Sequence, residues 1–162
     1  KLGITTFILD MLKGVTAVVI IPSAVKYFFG AEPELNEAYI AITGAICVIL
    51  GHSFPFTLNF KGGKGVATGL GIAIGLAPIS ALTGFALWAI IFRASGYVSL
   101  ASIIAAAYVA LGSWFIDYAS ANSSIIPIVI SFLAALVIIK HRTNVPRLIT
   151  GNENRFSIKK DK

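Results

Sequence analysis

The feature of this chain that most constrains its fold is a series of long apolar stretches. They run over residues 13–29, 38–51, 66–92, 97–116 and 124–139. Most are near the ~20 residues that an α-helix needs to cross a hydrocarbon core of ~30 Å. Only 12% of the residues are charged, whereas soluble domains carry about 25%. We therefore predict an all-α, polytopic integral membrane protein, in which residues 1–162 form a single transmembrane domain.

The third stretch is too long for one simple span, and Pro78 interrupts it. Proline inside a helix removes a hydrogen bond and clashes with the preceding turn. The loop at 52–65 carries two lysines and the segment after Lys140 is strongly basic, so both should face the cytoplasm. An even number of passes must then separate them. This parity predicts that 66–77 and 79–92 are separate short or re-entrant passes, which gives six passes in the chain.

The charges divide between the two sides in this topology. Most of the 13 Lys and Arg residues fall on the cytoplasmic side, and the net charge of +6 reports orientation and contact with anionic lipid, not nucleic-acid binding. Residues 156–162 are expected to form a basic cytoplasmic tail. The far side keeps acidic loops with Glu32, Glu34, Glu37 and Asp117, the last at the start of a plain turn. Lys26 is the basic exception there, placed as a snorkelling side chain.

A glycine-rich segment flanked by lysines lies at the edge of the second apolar stretch. Gly51-His52-Ser53-Phe54-Pro55-Phe56 is followed by Phe60-Lys61-Gly62-Gly63-Lys64-Gly65-Val66-Ala67-Thr68. Bare backbone N–H groups beside lysine ammonium groups, leading into a helix N-terminus, suit a phosphate or another oxyanion. The segment predicts a membrane enzyme that acts on phosphorylated lipid precursors.

Other polar residues that are expensive to hold near a bilayer collect at the turn 93–99 and in 140–155. The second segment supplies an imidazole, an amide, a cation and a carboxylate through His141, Asn144, Arg147 and Glu153. A phosphorylated polyol would use that set. The simpler interpretation, a stop-transfer cluster that anchors the last helix, stays open, and we divide the tail at about Phe156. Small residues such as Gly71 and Gly75 predict close helix packing more than dimerisation.

Three familiar sites are excluded by spacing. A P-loop would need glycine at Leu58 and Ser or Thr at Gly65. A histidine oriented by a carboxylate five residues later would need an acid at Thr57. Two histidines and one cysteine form no ligand set of known spacing, so we expect no metal and no cofactor. Without a positioned base, a more activated donor is needed, and an acyl phosphate is such a donor.

Ionisable residues also occur in the first apolar helix, where Asp10 and Lys13 are three residues apart. Such groups are costly in a membrane unless they are paired or face a polar cavity. Mutual pairing and a place in the wall of the active site both remain open from the sequence.

Several segments together resemble the bacterial acyl-phosphate-dependent glycerol-3-phosphate acyltransferases. The matching segments are Asp10-Met11-Leu12-Lys13-Gly14, the long Gly51 to Thr68 segment, Tyr97-Val98-Ser99-Leu100-Ala101-Ser102, and His141-Arg142-Thr143-Asn144-Val145-Pro146-Arg147-Leu148 with Gly151-Asn152-Glu153. The resemblance implies transfer of a fatty acyl group from acyl phosphate to the 1-hydroxyl of glycerol 3-phosphate, without direct use of acyl-CoA or acyl-carrier protein. It also implies seven spans in the bacterial inner membrane, with the active site facing the cytoplasm. One span and a first motif are therefore expected before residue 1.

Roles for individual residues follow as hypotheses. Lys64, His52 and Ser99 are the candidate catalytic residues. The candidate substrate-binding residues share polar or backbone donors, and they are Lys61, Gly62, Gly63, Lys64, His141, Asn144, Arg147 and Glu153. His52 either orients the donor or hydrogen-bonds the glycine-rich loop as a structural imidazole. The expected partners are glycerol 3-phosphate, acyl phosphate and membrane lipids, with no nucleic acid. Contact with the soluble enzyme that makes acyl phosphate is left open.

Two rival functions use similar compositions. A transporter of a phosphorylated solute is the main alternative, but the charged residues lie at one face and the two halves show no matching broken helices. A non-catalytic scaffold whose tail contacts anionic lipid is the other.

Overall fold

The computed structural model describes residues 2–30, 37–117 and 124–156, and all regular structure within these ranges is helical. The α-helices are α1 (Leu2–Val15), α2 (Ile21–Phe29), α3 (Glu37–Ser53), α4 (Val66–Leu76), α5 (Pro78–Ser95), α6 (Val98–Gly112), α7 (Ile125–Lys140) and α8 (Asn144–Ile149). Two π-helical turns, Thr16–Ile20 and Ser113–Asp117, and one 3-10 turn, Phe56–Leu58, complete the set. The prediction of an all-α membrane protein is confirmed.

Within the described residues, four helical segments are long and apolar enough to cross a membrane. They are Leu2–Phe29, Glu37–Leu58, Pro78–Ser95 and Val98–Asp117. Val66–Leu76 and Ile125–Lys140 are shorter apolar helices. The six-pass topology therefore stays a prediction. The first segment begins at Leu2, well before the apolar stretch that starts at residue 13, because Asp10 and Lys13 pair with each other and do not interrupt the helix.

The predicted break before Pro78 is confirmed. Ala77 leaves the helical region with φ −145° and ψ 67°, and Pro78 is the first residue of α5. Asp117 supplies the acceptors that this helix start needs: its carboxylate accepts hydrogen bonds from Ile79 N and Ser80 N, both at 3.2 Å, and from the Ser80 hydroxyl. Asp117 is thus a buried cap of α5 and not part of a plain turn, and residues 118–123 lie outside the described residues.

Two other expectations for the far side can be compared with the structure. Lys26 Nζ lies 2.5 Å from Glu37 Oε1, so this lysine is held in an ion pair, and its snorkelling stays a prediction. The reason is that the start of α3 brings the Glu37 carboxylate next to the end of α2. Glu32 and Glu34 lie outside the described residues.

Glycines bring α1 and α4 close together. A Cβ on Gly14 would lie 2.4 Å from the Thr68 carbonyl oxygen, and one on Gly71 would lie 2.0 Å from the Met11 carbonyl oxygen. A Cβ on Gly75 would meet Val18 in the same interface. Close packing within the chain therefore accounts for the Gly71–Gly75 spacing. This contact places the beginning of α4 beside the part of α1 that carries Asp10.

The centre of the bundle is formed by the π-helical turn Thr16–Ile20, α3, α4 and α7. Ala45 and Ile49 of α3, Ile72 of α4 and Leu133 of α7 belong to one buried apolar cluster. Tight packing of this cluster fixes the end of α3, the beginning of α4 and the end of α7 relative to one another. The polar residues of the candidate site lie at these helix ends.

Candidate active site

The glycine-rich turn folds back onto the end of α3. After the 3-10 turn, Asn59 and Phe60 have φ of 50° and 60°, which reverses the chain. The Gly63 N–H then donates a hydrogen bond to the His52 carbonyl oxygen at 3.1 Å. A Cβ on Gly62 would lie 2.2 Å from that same oxygen. Glycine is required here by the close approach of two backbone segments.

The turn ends at the N-terminus of α4, which has no side-chain cap. Gly65 precedes the helix with φ +79°, and no side chain in the described part of the chain bonds to the first-turn N–H groups. Among the residues that the structure describes, none accepts a hydrogen bond from Lys64 Nζ. Unbonded N–H groups at a helix N-terminus, together with an adjacent ammonium group, favour binding of an anion.

Glu153 gathers residues from α6 and α8 on the other side of this turn. Its carboxylate accepts hydrogen bonds from Asn144 Nδ2 at 2.6 Å and from Arg147 Nε at 2.9 Å. The Glu153 side chain is only 8% exposed. Burial alone would raise its pKa, but the hydrogen bond from Asn144, the proximity of Ser99 and the charge and hydrogen bond of Arg147 outweigh it, so the pKa of Glu153 lies below its ordinary value.

Lys64 and His141 belong to the same group of interacting charges. Burial lowers the pKa of Lys64, with Glu153 opposing the shift and Arg147 adding to it. Burial also lowers the pKa of His141, which Lys64 lowers further. The His141 ring donates from Nδ1 to the Val137 carbonyl oxygen at 2.8 Å, so Nε2 carries the lone pair. A neutral, fixed imidazole therefore lies within electrostatic reach of the Lys64 ammonium.

Several buried polar atoms around the turn have no hydrogen-bond partner among the described residues. They are Ser53 Oγ, Thr68 Oγ1, Ser99 Oγ and Asn144 Oδ1. Ser99 lies near enough to Glu153 to affect its pKa but does not reach good hydrogen-bond geometry. A buried unsatisfied polar atom costs about 1 to 3 kcal/mol. These atoms are suited to bind a polar ligand or water.

His52 pairs with a carboxylate from another helix, which the sequence analysis had excluded. His52 Nδ1 lies 3.5 Å from Asp10 Oδ1, and Lys13 Nζ lies 2.8 Å from the same oxygen. Thr57 does exclude a carboxylate five residues later, but the wider expectation that no carboxylate pairs with a histidine is wrong, because the partner comes from α1. Asp10 pairs with Lys13, which confirms the expected mutual pairing, whereas its place in the wall of the active site stays a prediction.

The structure brings together six of the predicted site residues: Lys64, Ser99, His141, Asn144, Arg147 and Glu153. Gly62 and Gly63 form the adjacent turn. Lys61 does not join them, because its side chain is exposed and contacts no acceptor within the described ranges. His52 lies on the opposite side of the turn, against Asp10.

Lys140 was missed by the sequence analysis, where it counted only as a topology charge. Its Nζ donates to the Ser53 carbonyl oxygen at 2.6 Å and lies 4.2 Å from the centre of the Phe54 ring. The lysine therefore ties the end of α7 to the end of α3. In the sequence, a lysine directly after an apolar helix looks the same whether it makes such a contact or only keeps the helix end in the cytoplasm.

The chain after α8 forms a strap over the turn between α5 and α6. Phe156 N donates to the Gly96 carbonyl oxygen at 2.9 Å, and Arg155 Nε donates to the Ser95 carbonyl oxygen at 3.1 Å. Gly96 has φ +77°, and a Cβ there would lie 2.9 Å from Arg155 Cγ. The strap holds Glu153 next to Asn144. Residues 157–162 of the predicted tail lie outside the described residues.

Comparisons with known proteins agree on one family. A family model described as "Glycerol-3-phosphate acyltransferase" matches residues 1–151. The glycerol-3-phosphate acyltransferase of Syntrophotalea carbinolica is 40% identical over 156 residues, which is 96% of this chain and 73% of the relative. That of Aquifex aeolicus is 41% identical over 160 residues, or 96% of this chain and 74% of the relative.

Solved structures give the same result. The crystal structure of PlsY (YgiH), an integral membrane glycerol 3-phosphate acyltransferase in its glycerol 3-phosphate form, is similar with a TM-score of 0.77 and 35% identity, over 96% of this chain and 71% of that one. Its lysophosphatidic acid form gives a TM-score of 0.72 and 38% identity, over 96% and 72%. Sequence and fold together show that this membrane protein belongs to the glycerol-3-phosphate acyltransferase family.

Proposed function

We propose that this protein transfers a fatty acyl group from acyl phosphate to the 1-hydroxyl of glycerol 3-phosphate, forming 1-acyl-glycerol 3-phosphate and phosphate. The observation that carries the proposal is the juxtaposition of Lys64 and the free α4 N-terminus with Arg147, His141 and Glu153. Both substrates bear a phosphoryl group, and cations with backbone N–H groups stabilise such groups. Family membership supports glycerol 3-phosphate as the acceptor.

The acceptor would bind on the Arg147 side of the turn. Lys64 and Arg147 would contact its phosphate, and the unpartnered Ser99 Oγ and Asn144 Oδ1 offer hydrogen bonds to its hydroxyl groups. Neutral His141 presents Nε2 as an acceptor because Nδ1 is already bonded to Val137. This arrangement would orient the hydroxyl for attack, and positioning of this kind accounts for a large part of many rate enhancements.

The chemistry we propose is direct. The 1-hydroxyl oxygen attacks the acyl carbon, a new ester C–O bond forms, and the bond between the acyl carbon and the oxygen that bridges it to phosphorus breaks. Phosphate leaves with that electron pair, and the hydroxyl proton passes to a phosphate oxygen. Lys64 and the Gly62–Gly63 backbone would stabilise the leaving charge. No acyl-enzyme forms, so a covalent acyl adduct trapped on quenched protein would contradict this step.

An apolar cleft, partly open to its surroundings, supports the use of a fatty donor. Its lining comes from α1 and α4 to α7 and includes Phe7, Val66, Gly69, Trp88, Ala105 and Ala134. Val66 is two residues from Lys64 and Gly69 lies one turn further along α4. An acyl chain in this cleft would therefore lie beside the helix whose N-terminus binds the phosphate.

The position of the protein in the cell follows from the distribution of its basic residues. Lys64, Lys140 and Arg147 all belong to the side that the distribution of basic residues assigns to the cytoplasm. We propose a multi-pass protein of the bacterial inner membrane whose site opens to the cytoplasm, where glycerol 3-phosphate is soluble. Contact with the soluble enzyme that produces acyl phosphate would shorten the path of the donor.

The test uses the full-length protein in lipid vesicles with labelled glycerol 3-phosphate and palmitoyl phosphate. We expect labelled lysophosphatidate, and much less product when palmitoyl-CoA replaces the acyl phosphate. Lys64→Ala should abolish turnover, while Lys26→Ala, at a lysine paired with Glu37, should retain it. Uptake of label without product would instead indicate transport.

A further inference from the structure

Asp10 and His52 form a contact between α1 and α3 that the proposed chemistry does not use. The side chains are 19% and 15% exposed, and Asp10 Oδ1 lies 3.5 Å from His52 Nδ1. Lys13 Nζ contacts the same carboxylate at 2.8 Å. Ionisable groups on membrane helices are costly to retain and usually serve a function. The question is what this pair acts on.

His52 contacts the glycine-rich turn in two ways. Its carbonyl oxygen accepts the hydrogen bond from the Gly63 N–H at 3.1 Å. Its ring fills the space where a Gly63 side chain would be, because a Cβ there would lie 2.1 Å from Nε2, 2.8 Å from Cε1 and 3.0 Å from Cδ2. Interiors packed this closely transmit displacements. The ring and the turn therefore cannot move independently.

The next residue in the chain belongs to the other group of charges. Lys64 directly follows Gly63, and its ammonium interacts with Glu153 and Arg147. A single peptide unit thus joins the Asp10–His52 contact to the cation that we assign to the phosphoryl group. A misplacement of about 1 Å at such a group can lower a rate by roughly 100-fold.

We propose that Asp10 and His52 are positioning residues for Lys64. The Asp10 carboxylate accepts the Nδ1 hydrogen of His52 and holds the ring against Gly63, and the ring in turn sets the direction of the turn and of the Lys64 side chain. Lys13 balances the charge of Asp10, and Lys140 fixes the α3 end through the Ser53 carbonyl oxygen. This inference rests on the proposed function, in which Lys64 contacts phosphate.

A double-mutant cycle tests whether Asp10 acts through His52. The variants are Asp10→Asn, His52→Asn and the pair of them, made in the full-length protein in lipid vesicles. We expect each single variant to lower kcat/KM for glycerol 3-phosphate by roughly 10-fold or more, as for loss of a hydrogen bond to a charged group. The kcat/KM of the double variant should lie within about 2-fold of that of the less active single variant. Asp10→Glu, which keeps the carboxylate, should recover most of the activity.

Asp117→Asn is the matched control, because it makes the same chemical change at a buried carboxylate that caps α5. Its effects should be independent of those of His52→Asn, so that the fold-losses in rate multiply and the changes in the free energy of unfolding add. If the losses from Asp10→Asn and His52→Asn multiply in the same way, or if Asp10→Asn has no effect on kcat/KM, the proposal is overturned.

A spectroscopic readout separates this inference from the proposed function. In protein labelled with ¹⁵N-histidine, the ring signals that disappear in His52→Asn belong to His52. The contact of Asp10 with Nδ1 predicts the tautomer that carries hydrogen on Nδ1. Asp10→Asn should shift these signals while leaving those of His141 in place. Unshifted His52 signals would overturn the positioning role even in an active protein. A wild type that makes no lysophosphatidate but shows the Asp10-dependent tautomer would refute the proposed function and the assigned role of Lys64, and would leave only the structural contact.

Discussion

Three glycines near His52 should respond to alanine in three different ways. Gly51 lies in α3, whereas Gly62 and Gly63 lie in the turn that folds back onto it. Since none of the three has φ in the left-handed region, the outcome depends on the space available to a Cβ atom. The comparison therefore tests the geometry of the turn directly.

The expected magnitudes follow from what each Cβ would meet. At Gly62 it would lie 2.2 Å from the His52 carbonyl oxygen and 2.4 Å from Pro55 Cδ, neither of which can turn aside. The turn would have to detach from α3, and overpacking of this kind costs about 1 to 3 kcal/mol or more. We expect Gly62→Ala to lose both stability and activity.

At Gly63 the obstacle is a side chain, so the response should differ. Real Cβ contacts do not fall below 3.0 Å, and the distance to His52 Nε2 would be 2.1 Å. The ring must therefore move by about 0.9 Å, the difference between these two values. It can do so only by leaving Asp10 or by pushing the turn. Because a shift near 1 Å can lower a rate by roughly 100-fold, we expect Gly63→Ala to fold but to turn over slowly.

Gly51 serves as the matched control, because a Cβ there meets nothing within 4 Å. Alanine in a helix interior is favoured over glycine by about 0.8 to 1 kcal/mol. Lysophosphatidate formation and thermal unfolding would be measured for all three variants in the same lipid. Activity of Gly63→Ala equal to that of Gly51→Ala would refute the packing of His52 against the turn.

Three further predictions concern the proposed site. The lowered pKa of Lys64 means that its charge is lost at lower pH than for an exposed lysine, so KM for glycerol 3-phosphate should rise as pH increases through that pKa. The variant Lys64→Arg should lack this rise, because arginine stays charged. An identical pH profile for the two proteins would contradict the role assigned to Lys64. Glu153→Gln removes the charged acceptor of Asn144 and Arg147, so KM should increase by roughly 10-fold or more, and steady-state kinetics at neutral pH would reveal it. Ala105→Leu narrows the apolar cleft, and competition between acyl phosphates should then show a shift in preference toward shorter chains, whereas unchanged selectivity would place the acyl chain elsewhere.

The sequence predicted those features that depend on local chemistry. The break before Pro78 required only that proline cannot continue a helix from the preceding turn, and Ala77 leaves the helical region there. Likewise, the glycine-rich turn predicted exposed backbone donors, and α4 begins without a side-chain cap. Apolar length predicted the helices themselves.

Contacts between helices could not be predicted in this way. Asp10 and His52 are 42 positions apart, and Asp117 reaches Ser80 across 37. Each contact depends on the rotation of one helix against another, which is set by packing such as that of Gly14 against Thr68. A search limited to fixed spacings therefore excluded a partner for His52 that the fold provides. The polar character of Asp10 within an apolar helix was the only available signal.

The charges on the two sides of the turn explain why phosphorylated substrates suit this site. Leaving the histidines out of the sum, Lys64 and Arg147 against Glu153 give +1, and Lys13 and Lys140 against Asp10 also give +1. An unmatched charge near a bilayer is costly, so each phosphoryl group that binds would compensate part of that cost. The phosphate that the proposed reaction releases has the same chemistry as the bound groups. Inorganic phosphate should therefore compete with the phosphorylated substrates. Its inhibition should weaken as salt is added, because screening reduces the attraction between partly exposed charges.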